Sequence, residues 1–305
     1  MSVAIEAGRR HVKISRPDKA LFPCGITKAE LARYYEQVAD AMLPHVKARP
    51  LNLERYPDGI DGERIMQQRA GPYFPRWIKR ATVRKRGGTV EHVVAADAPT
   101  LVYLAGQACI TLHAWLSRAD RLERPDRLIF DLDPSSSGAA EIRRAARVMA
   151  SVLRELELDA WVMTTGSRGY HLTVPLKRRA DFDTVRAFAR DVAQLATRRE
   201  PRVFTTEQRK AKREGRILID VMRNAYGQSA VAPYAVRARR GAPVATPLHF
   251  DELSERATRA DRWTIRSIPQ RLARGGDPWV QLERRAQTLA TARRRLVEAL
   301  AEAGR

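Results

Sequence analysis

In the stretch LIFDLDP, residues 128 to 134, two carboxylates stand two positions apart at the end of an apolar run. Side chains in a strand alternate, so Asp131 and Asp133 share one face, and Pro134 stops the strand just beyond them. Carboxylates held this close repel unless a proton or cation lies between them, and oxygen donors suit Mg or Mn. A third acid, Asp220, closes a second apolar run in ILIDVMRN. Three such aspartates can hold two divalent ions about 3.5 to 4 Å apart, a geometry that supports in-line displacement at phosphorus. The turn TTGSRGYH, residues 164 to 171, supplies partners for phosphate: the Thr165 hydroxyl, the Arg168 charge, the His171 ring, and backbone N–H groups near Gly166 and Gly169. His113 in CITLH, and Arg237 and Arg239, expected to share one strand face in YAVRAR, are further phosphate-facing candidates.

These residues need a scaffold, and the hydrophobic pattern provides one. Thr27 and Glu30 form a capping-box pattern before Leu31, Tyr34, Tyr35, Val38 and Met42, which recur at helical spacing. ARPLNLERYPDG reads as a strand closed by a turn, Arg84 to Val94 as a hairpin, and Pro99 as the start of a short helix leading into a CITLH strand. After the DLDP strand, a helix carries Ile142, Ala145, Met149, Val152, Leu153 and Leu156. WVMTT and YHLTV are strands around the glycine turn, a helix follows with Val185, Phe188, Val192 and Leu195, and RILIDVM and VAPYAVRAR read as strands. Leu282, Leu289, Leu296 and Leu300 predict a C-terminal helix over 281–305. Strands and helices do not alternate strictly. The expected class is therefore α+β with mostly antiparallel central sheets flanked by helices, in a single catalytic domain over 1–305. Its expected parts are an N-terminal portion at 10–100, a core at 101–280 and the terminal helix.

Composition narrows the partners. Lys and Arg number 56 against 35 Asp and Glu, a formal charge of +21, and nucleic acid is the commonest polyanion to match it. Cys24 and Cys109 are the only cysteines and neither belongs to a C-x-x-C pair, which removes cysteine-zinc and disulfide frameworks and suits a reducing cytoplasm. No apolar run approaches the roughly 20 residues of a membrane span, and the N-terminus lacks a secretion-signal core. A cytoplasmic, nucleoid-associated protein with no membrane partner is expected. On the residues alone, two readings of the D-x-D strand stand open. One is a phosphatase of haloacid-dehalogenase type, although Ser135 replaces the usual Thr or Val and Asp220 lacks an acidic neighbour. The other is a nucleotidyltransferase, which accounts for the lone third acid, the arginine pair and the basic charge. A non-catalytic DNA-end-binding module is a third possibility.

In order, PDKALFP, RPLNLERYPDGIDG, LHAWLSR, FDLDP, TTGSRGYH, ILIDVMRN and APYAVRARRGAPVATPL closely resemble the polymerase domain of bacterial ligase D. This is the primase-polymerase branch of the archaeo-eukaryotic primase superfamily. The resemblance runs from about residue 10 to 280, and the absence of a K-x-D-G ligase motif implies a free-standing polymerase domain. It implies gap filling and end extension on DNA ends and gaps with a 5′-phosphate during non-homologous end joining. Nucleoside triphosphates would be the substrates, ribonucleotides favoured, with two Mn or Mg ions as cofactors and Ku and a separate DNA ligase as partners. Carried over by position, Asp131, Asp133 and Asp220 are the metal-binding catalytic acids, and His113, Thr165, Arg168, His171, Arg237 and Arg239 bind the nucleotide. Lys19 and Lys28 grip the 5′-phosphate, Arg16 stands where an Asn is usual and strengthens that grip, and Arg55 meets the template. Thr165 replaces a Ser and Arg168 a Lys, while Ile65 and Met66 replace two aromatic residues that stack on template bases. Losing such rings removes roughly 1 to 3 kcal/mol per base.

Overall fold

In the computed structural model, which describes residues 1–136 and 138–303, the acidic strand lies at the centre of a sheet and not at its edge. Among the described residues this sheet has five strands in the order β11-β12-β8-β10-β9. They are β8 (Arg127–Asp133), β9 (Trp161–Thr164), β10 (Tyr170–Pro175), β11 (Phe204–Thr205) and β12 (Ile217–Asp220). All pairings are antiparallel except β11 with β12. Leu128, Ile129 and Phe130 are buried because helices cover the sheet: α4 (Ala139–Glu155) packs on β8 and β10, and α5 (Phe182–Arg199) on β8 and β11. Each helix buries the stripe its spacing predicts, Ile142, Ala145, Met149, Val152 and Leu153 in one, and Val185, Phe188, Val192 and Leu195 in the other. Each buried Ile, Leu, Val, Met or Phe among them contributes about 1.5–3 kcal/mol by leaving water.

These elements belong to one of two compact units, formed by 123–228, 247–262 and 278–305. The other comprises 1–122, 229–246 and 263–277, so the units part at residue 122 and the chain returns to the first one twice. It holds a hairpin, β1 (Ser2–Ala7) with β2 (Arg10–Ser15), which the charged sequence at 8–13 hides from hydrophobic patterning. Its larger sheet runs β13-β7-β3-β6-β5 with β4 beside β3, and every pairing in it is antiparallel. The strands are β3 (Pro50–Arg55), β4 (Ile65–Gln67), β5 (Arg80–Lys85), β6 (Gly88–Val94), β7 (Cys109–Trp115) and β13 (Ser229–Val231). Helices α1 (Lys28–Gln37), α2 (Ala39–Val46), α3 (Ala98–Gly106) and α6 (Ile268–Gly275) complete it. The capping box at Thr27 is present: Glu30 N–H donates to Thr27 Oγ1 at 3.2 Å and Thr27 N–H to the Glu30 carboxylate at 2.7 Å. The single helical run expected from Leu31 to Met42 is divided at Val38, whose ψ of 3° ends α1 before α2 begins.

Two expectations are corrected. The C-terminal helix does not occupy 281–305: α7 spans Ala290–Glu302. Gln287 is claimed by extended pairing, donating from its backbone to Pro175 O and accepting from Lys177 N, while its side-chain amide pairs with the Asp159 backbone in both directions. Leu282, Leu289 and Leu296 are buried all the same, so the apolar spacing reports packing and not one helix. The strand expected over VAPYAVRAR is also absent. After β13 the chain turns at Tyr234, with a left-handed φ of 66°, and makes a single bridge between Val236 and Val244. Arg237 and Arg239 therefore do not share a strand face; the first is half-buried and the second exposed.

Cys109 is buried, which pushes its thiol up to about 12, whereas Cys24 is exposed in the turn closed by Gly25 N–H on Phe22 O. No helix among the described residues is long and apolar enough to cross a membrane.

One side chain keeps the acidic strand in register. Where β12 leaves β8 after Asp220, buried Asn224 replaces a strand neighbour: its amide donates to Ile129 O at 2.7 Å and accepts from Ile129 N–H at 2.8 Å. Removing it orphans both backbone groups at about 1–3 kcal/mol each. Asn224→Ala should therefore lower the unfolding free energy by roughly 2–6 kcal/mol, measured by urea denaturation.

Candidate active site

Register brings the three acids together. Asp131 of β8 lies directly opposite Asp220 of β12 on one side and His171 of β10 on the other. Directly opposed residues point to the same face, so Asp220, Asp131 and His171 form a row across three strands, with Asp133 two residues along. Ligand oxygens of Asp131, Asp133 and Asp220 all lie within 4.8 Å of one another.

Electrostatics distinguishes the three. Burial opposes ionisation of Asp131, but the His171 ring, 3.3 Å from Oδ1, and Arg223, 3.5 Å from Oδ2, outweigh it and hold its pKa below the usual carboxylate value. Asp133 is pushed the other way, by burial and then by the charges of Asp131 and Asp220. Asp220 accepts from Met222 N–H at 2.8 Å, which fixes its carboxylate as the chain turns away. Asp131 Oδ1 is buried and makes no well-formed hydrogen bond, and the same holds for His171 Nδ1. Converging hard oxygens, a buried acceptor left over and mutual repulsion of charge are what a divalent cation would relieve, so the donor set fits Mg or Mn.

The glycine turn sits against this row. Thr165 N–H and Oγ–H both donate to Gly169 O, and Gly169 N–H returns a bond to Thr165 Oγ1 at 3.3 Å. Any Cβ at Gly169 would lie 2.1 Å from Leu132 O, so only glycine permits this approach to β8. Gly166 adopts φ +64°, and Arg168 at the tip is exposed.

The remaining candidates belong to the other unit. His113 of β7 lies 3.1 Å from Glu54 Oε2 of β3, and Tyr56 donates to Glu54 Oε1 at 2.9 Å. Arg16, Lys19 and Lys28 gather where α1 begins: Lys28 N–H donates to Lys19 O at 2.9 Å, and Arg16 takes a left-handed φ of 48°. Burial, then the charges of Arg16 and Lys19, lower the pKa of Lys28, a repulsion that an anion would relieve. Lys19 meanwhile reaches Asp58 at 2.6 Å. Arg55 is pinned rather than free, donating to Gln107 O, Gln67 Oε1 and the Tyr73 hydroxyl. Ile65 and Met66 are exposed on β4.

Sequence reasoning missed Arg223, Glu54 and Asn224. Arg223 and Asn224 stand just past the DVM triplet, where a short 3-10 turn returns them toward β8. Glu54 had a signal: it alternates with Leu51 and Leu53 inside a buried strand, where an acid needs a partner.

Comparison with known proteins fits this geometry. The sequence model of the LigD primase-polymerase domain matches residues 27–279. A multifunctional non-homologous end joining protein LigD from Pseudomonas aeruginosa is 36% identical over 296 residues, which are 96% of this chain and 35% of the relative. The multifunctional non-homologous end joining DNA repair protein LigD of Mycobacterium tuberculosis is 31% identical over 281 residues, 89% of this chain and 37% of that protein. The chain thus spans about a third of the length of these curated relatives. Among solved structures, the polymerase domain of Mycobacterium tuberculosis ligase D in complex with DNA superposes with a TM-score of 0.85 at 30% identity, covering 90% of this chain and 99% of that one. The dehalogenase-type alternative falls with this match and with the antiparallel neighbours of β8.

Burial opposes the Glu54 charge, but the His113 ring and Tyr56 hydroxyl prevail and bring its pKa from 4.5 down to about 2. A depressed carboxylate stabilises the fold above its unfolded pKa and loses that contribution as pH falls through the folded value. Glu54→Gln should accordingly cost about 2 kcal/mol near pH 5, discounted for the water that reaches the carboxylate. The gap between the two proteins should close as the pH falls from 4.5 towards 2 in a urea-unfolding series.

Proposed function

Because the chain belongs to the LigD primase-polymerase domain family, we propose that it is a DNA-directed nucleotidyltransferase that extends primer ends and fills gaps in non-homologous end joining. The observation that carries this reading is the convergence of Asp131, Asp133 and Asp220 within 4.8 Å on one sheet face.

In the reaction, the primer 3′-hydroxyl oxygen attacks the α-phosphorus of a nucleoside triphosphate. A new P–O bond forms, the bond between the α-phosphorus and the bridging oxygen breaks, and pyrophosphate leaves. Two Mn or Mg ions held by the three carboxylates would supply Lewis acidity, lowering the pKa of that hydroxyl and neutralising phosphate charge. The chain's own residues do the rest. Asp131 is kept ionised by His171 and Arg223, so it is ready to bind a cation without first losing a proton. Arg168 at the tip of the glycine turn brings a permanent charge to the triphosphate, and the Thr165 hydroxyl and His171 ring orient it. His113, Arg237 and Arg239 take the nucleotide roles their positions imply, His113 being fixed by Glu54. Arg16, Lys19 and Lys28 hold a 5′-phosphate, and Arg55 meets the template. A preference for ribonucleotides, a Ku partner and a separate DNA ligase complete the reading.

The test is a gapped, 5′-phosphorylated duplex incubated with labelled ATP or dATP and Mn. Extension is expected from the unaltered protein. Asp133→Ala should abolish it, a loss of at least about 10³-fold, while DNA affinity stays within about twofold, because a metal ligand and not a phosphate contact is lost. Extension surviving in that variant would refute the assignment, and DNA binding without any extension by the unaltered protein would identify a non-catalytic end-binding module.

A second measurement isolates the basic trio. Competition between 5′-phosphate and 5′-hydroxyl gaps should show tighter binding of the phosphate, and Lys19→Ala should reduce that discrimination roughly tenfold, about 1.4 kcal/mol. Equal affinity of the unaltered protein for both ends would remove the 5′-phosphate role.

A further inference from the structure

The segment that bears Arg237 and Arg239 is held by very little regular structure. Its backbone makes one bridge, Val236 with Val244, and it begins with the left-handed Tyr234, a conformation that non-glycine residues seldom adopt. Two of its backbone groups are satisfied by side chains of α1. The Tyr34 hydroxyl donates to Tyr234 O at 2.9 Å, and Val236 N–H donates to the Tyr35 hydroxyl at 3.2 Å. The Tyr35 hydroxyl also donates to Ile110 O of β7 at 2.6 Å, which ties the segment to the strand that carries His113. Both rings are buried and meet edge to face, 5.4 Å between centroids. The strained residue is anchored from its other end as well: the Tyr234 hydroxyl donates to Asp277 Oδ1 at 2.6 Å, and His45 Nε2 lies 2.7 Å from Asp277 Oδ2. Arg237 follows directly, its N–H donating to Pro243 O at 2.7 Å.

We propose that Tyr34 and Tyr35 are positioning residues for nucleotide binding, setting Arg237 through hydroxyl bonds to the turn at 234–236. The proposal rests on the nucleotide role given to Arg237 above. Buried hydroxyls suit this work because their donor and acceptor directions are fixed by the ring, and burial raises both pKa values, so neither loses its proton at working pH. The helix that carries them is itself capped by Thr27 and Glu30 and starts at Lys28, so one rigid element places both a lysine of the basic trio and the arginine turn.

Steady-state gap extension with ATP and Mn, with melting temperature recorded for every variant, tests this. Tyr35→Phe removes one oxygen and keeps the ring. It should raise KM for ATP roughly five- to tenfold with kcat within about twofold. Arg237→Ala should raise KM by itself, and adding Tyr35→Phe to it should bring no further rise, because the tyrosine acts through the arginine. An unchanged KM in Tyr35→Phe while Arg237→Ala raises it overturns the positioning role alone, as does a fully additive double variant. An unchanged KM in Arg237→Ala overturns the nucleotide role of that arginine and the positioning role with it. Should Tyr35→Phe not fold, Tyr34→Phe, which gives up only the bond to Tyr234 O, is read in the same cycle with the same expected and overturning outcomes.

Discussion

Opposed carboxylates on neighbouring strands repel, and Asp131 facing Asp220 is such a pair, with Asp133 two residues away. Much of this sheet is arranged around that repulsion. The Arg223 guanidinium supplies opposite charge to Asp131, the His171 ring lies 3.3 Å from its Oδ1, and the Met222 N–H holds Asp220. Asn224 keeps β8 paired where β12 departs. The residual imbalance falls on Asp133, whose pKa is raised by burial first and then by the two like charges close by. A sheet built only for stability would place Leu or Val at these positions, as it places an apolar residue at Ile129, two residues before Asp131 on the same face. Such crowding at a strand end is what a divalent cation would relieve.

The helices and strands nearest the acids were readable because period and punctuation agreed there. A capping box opened α1, prolines and glycines bounded β8 and β10, and apolar stripes marked α4 and α5. Which strands would neighbour β8 was not readable, since register depends on tertiary pairing and a period of two says only which face a residue takes. The α1 tyrosines appeared as apolar spacing alone, although their hydroxyls turned out to complete a distant turn. The 231–239 segment misled because Val231, Tyr234 and Val236 are strand-favouring residue types, while Pro233 and the left-handed Tyr234 break the strand. At 281–289, Gln287 exchanged helical bonds for bonds to Pro175, Lys177 and Asp159, partners that no local pattern reveals.

Family membership and physical reading support each other at different scales. The match spans residues 27–279 and reaches both compact units, so it covers the acids and Lys28 of the basic trio, while Arg16 and Lys19 precede it. The departures are the more informative part. Arg168 at the turn tip keeps charge where geometry is open, whereas Gly169 beside it tolerates no side chain at all. Exposed Ile65 and Met66 leave β4 apolar without an aromatic face, and Arg55 is already engaged by Gln67 and Tyr73.

The two cysteines differ in a way an experimenter can use. Cys109 lies in the core with its thiol held protonated, while Cys24 projects to solvent within the loop that joins Lys19 to Lys28. A thiol-directed fluorophore would therefore attach at a single point, beside the basic trio, without any engineered substitution. Its emission would offer an optical reporter of anions arriving at the start of α1.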